Sequence, residues 1–284
     1  MKKTILLLLA TIPVALTSCL GDSEMSNTMQ LNAEMVQIKS TAGGTSSLNT
    51  ASYYFEMELA NSPYINIRIS DKDISQVAFN IQGLPLSVSN NLGYTFHAEA
   101  VTPVDANGTP LSNIEITNLY GQYTGNTLDM RYTLNGSTQI VAFPDGVTYS
   151  YNEVTTVAPD TDPYKYDESR VSMVYRINAD SALVDMTISN IRFVSEMPVM
   201  QSMTFPSIKI EPSITGTFIE LKADSIIPEI SNTPYPSYKI TDFSATMNPS
   251  FNASSFFRDE NVSGTFKCMG MDVSFKAQMF APAN

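Results

Sequence analysis

Beyond about residue 50, apolar residues recur at every second position in Tyr64 to Ile69, Tyr94 to Ala98, Ile114 to Leu119, Leu128 to Leu134, Val184 to Ile188 and Met271 to Phe275. A period of two belongs to strands with one buried face. Gly, Pro, Asn and Asp interrupt these runs at turn-like intervals. No stretch of this body keeps a 3.6-residue apolar stripe over three turns, so the pattern predicts an all-β, antiparallel fold.

The pattern also repeats. Ala60 to Ile74 aligns without gaps on Ala179 to Phe193, pairing Ile65 with Val184, Asn66 with Asp185, Ile69 with Ile188 and Ser70 with Ser189. Farther on, Ile116-Thr117-Asn118-Leu119 answers Ile240-Thr241-Asp242-Phe243. A third block from Gly121 answers one from Gly264, matching Tyr123 with Phe266, Leu128 with Met271, Asp129 with Asp272 and Tyr132 with Phe275. Three blocks in one order predict a tandem duplication. The expected division is a first β domain over 51–143, a linker over 144–169 holding Pro159 and Pro163, and a second β domain over 170–284. The second copy carries an expected insertion, roughly Ser244 to Asn261, whose Phe251, Phe256 and Phe257 form a candidate contact patch.

Each copy is expected to close with a hairpin that turns around Asn126 in the first and Gly270 in the second, where positive φ is cheap for Gly and tolerable for Asn. A closing hairpin after an Ile-Thr-Asn-Leu strand, with the earlier Asp-Ser-x-x-Val-Asp-x-x-Ile block, resembles the calycin-like β-barrel domains of Bacteroidetes lipoproteins. The resemblance implies two small antiparallel barrels or flattened sandwiches, and no particular ligand.

At the N-terminus, Lys2 and Lys3 precede an apolar run from Ile5 to Leu16, too short for a comfortable membrane span and suited to a secretory signal peptide over 1–18. The run ends in Leu16-Thr17-Ser18-Cys19, which resembles the lipobox of bacterial lipoproteins and makes Cys19 the expected lipidation site. Each buried methylene of such a lipid adds about 0.8 kcal/mol, so two or three chains hold firmly to the membrane. Residues 19–50, with Ser40-Thr41-Ala42-Gly43-Gly44-Thr45-Ser46-Ser47, read as a flexible tether. Asp22 and Glu24 behind the cysteine resemble the surface-export signal of Bacteroidetes. That resemblance implies an outer-membrane anchor with display on the outer surface rather than the periplasmic face.

Charge and chemistry narrow the function classes. The chain has 16 Lys+Arg against 28 Asp+Glu, which disfavours nucleic acid and anionic headgroups as partners. After Cys19 the second and last cysteine is Cys268, so lipidation leaves no intramolecular disulfide. One histidine, His97, is the sole imidazole base on offer, and alignment sets it against Ile219, which argues for a structural or surface role. Cys268 aligns with Gly125 and has no histidine beside it in sequence. Zinc-ligand spacings, a nucleophile elbow and phosphate-binding glycine loops do not occur, so no catalytic residue, cofactor or metal site is assigned.

Asp105-Ala106-Asn107-Gly108, and Asp160 and Asp162 with Asp167, offer oxygen ligands without calcium-loop spacing and read as solvated turns. The 14 Tyr and 14 Phe come without Trp, which weakens a sugar platform, although Tyr149, Tyr151, Tyr164 and Tyr166 could form one. Asp180-Ser181-Ala182 and Asp224-Ser225-Ile226 resemble the O-glycan acceptor of exported Bacteroidetes proteins, making Ser181 and Ser225 candidate modification sites. The expectation is a non-enzymatic, membrane-anchored module holding a small apolar or glycan-derived ligand within a barrel or between the two. The alternative is a structural or adhesion-type surface protein that contacts other proteins.

Overall fold

A computed structural model describes residues 29–278 apart from 41–43, 59–62, 70–77, 90–92, 125–126, 144–147, 179, 214–218 and 253–256. It is all-β. Strands β1 (Met29–Ser40), β2 (Thr45–Glu58), β3 (Tyr64–Ile69), β4 (Phe79–Ser89), β5 (Gly93–Val101), β6 (Ile116–Thr124), β7 (Thr127–Leu134) and β8 (Thr138–Phe143) pair antiparallel in chain order. β8 returns to β1 and closes a barrel.

A second sheet is built from β9 (Thr148–Val157), β10 (Tyr164–Ile177), β11 (Ala182–Ile191), β12 (Met200–Pro212), β13 (Ile219–Ile226), β14 (Glu229–Ile230), β15 (Thr233–Pro234), β16 (Ile240–Asn252), β17 (Phe257–Cys268) and β18 (Met271–Gln278). It curls until β9 pairs with both β10 and β18 and β11 pairs with β12, so its eight long strands are hydrogen-bonded in a circuit. The short β14–β15 ribbon hangs from β12, and a 3₁₀ turn at Pro236–Tyr238 leads back into β16.

The alternation read from the sequence is what fills these interiors. An eight-stranded circuit encloses a space about wide enough for its own side chains or one small ligand. In the first barrel Tyr53, Phe55, Phe79, Phe96 and Tyr132 fill it, with Ile65, Ile67, Ile69 and Ile81. In the second, Phe266 stacks or meets edge-on with Phe193, Phe205, Phe243 and Phe275 at centroid separations of 5.3 to 6.3 Å. Such pairs add about 0.5–1.5 kcal/mol each beyond burial. Rings this large need small neighbours. A Cβ on Gly121 would stand 2.0 Å from the Phe96 ring, and one on Gly264 would stand 2.4 Å from the Ala245 Cβ.

The two circuits share irregularities at equivalent places. In β3–β4 the register shifts at Asn66, whose Oδ1 accepts the Gly83 N–H at 2.8 Å while Gly83 takes φ +66°. In β11–β12 it shifts at Asp185, whose Oδ1 accepts the Ser207 N–H at 2.7 Å while Ser207 takes φ +58°. The paired Asn118 and Asp242 likewise sit at bulges, on β6 and β16, with φ of +51° and +53°. A short side chain carrying an acceptor is what a positive-φ residue or a bulge N–H requires.

Several sequence expectations are corrected by the strands. The tether over 19–50 supplies β1 and the start of β2, with Gly44 between them at φ +61°. The linker over 144–169 supplies β9 and the start of β10. Ser and Thr are good strand residues on a wall that faces solvent, and their polarity there mimics a linker.

The expected insertion is a lengthening of two strands already present, the β16–β17 ladder running in step from Ser244↔Thr265 to Asn252↔Phe257. The third sequence block does not keep step with the circuit, because Gly121 lies on the sixth strand and Gly264 on the seventh. The closing hairpins are therefore β7–β8, turning at Asn135-Gly136, and β17–β18, turning at Met269-Gly270. Asn126 precedes β7 and lies outside the described residues.

One end of the second barrel rests on the wall of the first. Phe143, outward on β8, is fully buried in the second barrel's core, and its ring meets Tyr175 edge-on at 6.3 Å. Leu48 and Val141 pack against the same core, and β10 lies along β1 and β2. Gln37, between Leu48 and Val141 in register, is buried there and donates to Ser46 Oγ at 3.3 Å.

Candidate interaction surface

The residues singled out in the sequence are dispersed over the described structure. Cys19 and Phe256 lie outside the described residues. Phe251 and Phe257 fall on the lengthened β16 and β17, where they face Arg258 and Asn252 in register. Ser181 lies in the β10–β11 turn, its hydroxyl donating to Asn178 Oδ1 at 3.1 Å, and Asn178 Oδ1 also accepts the N–H groups of Asp180 and Ser181. Ser225 is exposed on β13, paired with Thr241, on a strand rather than a turn.

His97 is exposed on β5 and pairs with Tyr120. Counting from the equivalent bulges, its counterpart is Lys222, which pairs with Ser244, and not Ile219. A position that takes His in one barrel and Lys in the other is solvent-facing wall.

Cys268 is buried beneath the 3₁₀ turn, its thiol 3.7 Å from the Tyr238 carbonyl oxygen. Burial pushes the thiol up to about 12. A thiolate is the reactive form, so maleimide should leave Cys268 unlabelled in the folded protein at neutral pH and label it fully in denaturant. Rapid labelling of the native protein would show that this turn opens readily.

The acidic turns separate into two kinds. Asp105 Oδ1 accepts the N–H groups of Asn107 and Thr109, each at 2.8 Å, and those bonds hold its carboxyl below the usual carboxylate range. Asp105 therefore shapes the β5–β6 loop. Among the described residues no three His, Cys, Asp or Glu are grouped so as to hold a metal ion.

The tyrosines expected as a platform are divided as well. Tyr149 and Tyr166 point into the barrel and are buried, while Tyr164 is half-buried at the start of β10. On the first barrel's wall the Arg68 guanidinium sits 5.8 Å over the Tyr54 ring, covering the face a sugar would stack on.

What the fold does gather is at the end of the second barrel away from the first. The β9–β10, β11–β12, β13–β16 and β17–β18 connections all lie there. Of eight large apolar side chains exposed among the described residues, four are on these connections, Val199, Ile227, Tyr235 and Met269, and a fifth, Val157, ends β9 beside them. Met269 and Ile227 are each 47% exposed, although Cys268, Ile226 and Pro228 beside them are buried.

Next to Val157 and Met269 opens a cleft of about 540 Å³, lined by Val157 to Asp162 with Gly270 and Asp272. Asp160 is held at φ +60° in the turn that forms its wall, where the Thr161 hydroxyl donates to the Ala158 carbonyl oxygen at 3.1 Å. Among the described residues none of Asp160, Asp162 and Asp272 has a cationic partner. Lys267 stands opposite Asp272 in the β17–β18 ladder with its ammonium on Asp242 at 3.5 Å, and Lys165 pairs with Glu153 at 3.6 Å. The arrangement offers apolar contact and exposed carboxylates side by side, without a nucleophile–base pair.

Sequence reasoning did not single out this end. Its signal was an apolar residue beside Pro or Gly inside a turn, as in Pro198-Val199, Ile227-Pro228, Tyr235-Pro236 and Met269-Gly270. Compared with known proteins, the chain matches no family model, no curated protein and no solved structure.

Proposed function

We propose that the protein is a lipid-anchored outer-membrane surface protein that works by docking other proteins, without catalysis and without a ligand inside its barrels. The observation that carries this reading is that both interiors are occupied by their own rings while the exposed large apolar side chains collect at one end. Exposed apolar side chains gathered at one end of a folded protein supply the contacts a docking site needs. This end also lies farthest from the wall on which the second barrel stands. The Cys19 anchor and the display on the outer surface rest on the lipobox-like Leu16-Thr17-Ser18-Cys19 and on Asp22 and Glu24.

The equivalent bulges at Asn66 and Asp185, and at Asn118 and Asp242, support descent of both circuits from one duplicated barrel of calycin-like form. Ser181 closes the β10–β11 turn against Asn178 and is half-buried, whereas Ser225 is exposed on β13; of the two O-glycan acceptors Ser181 is the one in a turn, which a transferase reaches more easily than a strand.

Native mass spectrometry of the protein from its own host tests the reading. The expected mass is the polypeptide from Cys19 plus lipid, and Cys19→Ser loses the lipid. A further mass removed by Ser181→Ala would be the glycan. A small molecule that survives desalting and leaves only on unfolding would overturn the docking reading in favour of an internal ligand.

A further inference from the structure

The partner's chemistry can be read from what surrounds this apolar end, an inference that rests on the docking reading above. We infer that the distal end of the second barrel receives a protein segment carrying lysine or arginine beside apolar side chains. The cation would enter the cleft between Asp160, Asp162 and Asp272, and the apolar neighbours would cover Met269, Val157 and Ile227.

Three observations converge on it. The cleft, at about 540 Å³, is within the size range of sites that accept a whole side chain or small ligand. None of its three carboxylates forms an ion pair among the described residues: Lys267, opposite Asp272 in the ladder, has its ammonium on Asp242, and Lys165 pairs with Glu153, which leaves Asp160 and Asp162 facing the cleft without a cation beside them in register. Unlike charge across an interface steers encounter and rejects partners of the wrong sign, so an acidic cleft selects a basic segment. Val157 lines the cleft, the loops of the same barrel end expose Val, Ile, Tyr and Met, and aromatic and Met side chains are enriched in buried interface cores.

The backbone beneath is held firmly as well. Met269-Gly270 is a two-residue hairpin turn with both φ positive, and the Tyr235 N–H donates to the Pro228 carbonyl oxygen at 2.8 Å. Rigid loops lose little entropy on binding. The net negative charge of the chain disfavours an anionic membrane or nucleic acid as the occupant, because like charge repels.

The test uses the mature chain in detergent as bait for a displayed random-peptide library. Counter-selection uses the variant Asp160→Asn/Asp162→Asn/Asp272→Asn, which keeps side-chain size and should keep its thermal midpoint. Peptides retained by the wild type alone should be rich in Lys or Arg next to Leu, Phe or Tyr. They should bind the variant about tenfold or more weakly and lose affinity as salt rises. Peptides that respond to Ile227→Ser and Met269→Ser but show no basic bias would overturn the basic partner and leave the docking surface standing. If no retained peptide responds to either set of substitutions, this end is not a docking surface and the parent reading fails with it.

Discussion

A chain begun at residue 165 will not fold cooperatively, whereas one begun at Pro144 will. The difference is β9, which lies between β10 and β18 and hydrogen-bonds to both. It also places Tyr149, Asn152, Val154 and Thr156 in the interior, each essentially inaccessible to solvent. Without it the circuit opens at two edges, and the partners of those side chains face water. Burial of a large apolar side chain is worth about 1.5–3 kcal/mol, and a whole domain is stable by only about 5–15 kcal/mol. Losing two such residues together with two ladders consumes most of that margin. Thermal melts followed by circular dichroism would decide the matter. A sharp transition in the shorter chain would mean that β9 is dispensable and that the circuit described here is not the folding unit.

The second large effect concerns Phe143. Truncating it to Ala should cost about 3–5 kcal/mol, as for other fully buried aromatic side chains. At about 2–4 °C per kcal/mol for a unit of this size, the melting temperature of the second barrel should fall by roughly 6–20 °C. Because Phe143 belongs to the first barrel's last strand and to the second barrel's core, its loss should also separate the two unfolding transitions. The chain begun at Pro144 lacks Phe143 and should show a comparable deficit. A loss under about 1 kcal/mol in the full chain would mean that the two barrels pack without depending on one another.

The sequence by itself determined that the protein is all-β, because alternation is a local property and the strands keep it between their bulges. It also paired two sets of residues that lie at bulges of the two circuits. Asn66 with Asp185, and Asn118 with Asp242, are short acceptor-bearing residues at bulges, where few others fit. The end at which the second barrel gathers its exposed apolar residues was visible only as turn residues out of phase with the strands.

The number of strands, and which strand answers which, were decided by tertiary structure. Polar strands such as β1 and β9 look like linkers until a closing partner is supplied, because their one buried face is defined by residues far away in the chain. The block from Gly121 could be laid on Gly264, one strand out of step, because all strands of an antiparallel meander share the same alternation. Only the hydrogen-bond register tells neighbouring strands apart. Phe143 belongs to the second core for the same reason: an apolar residue at the end of a strand is apolar whichever barrel receives it, and the wall it meets is set by how the two circuits pack.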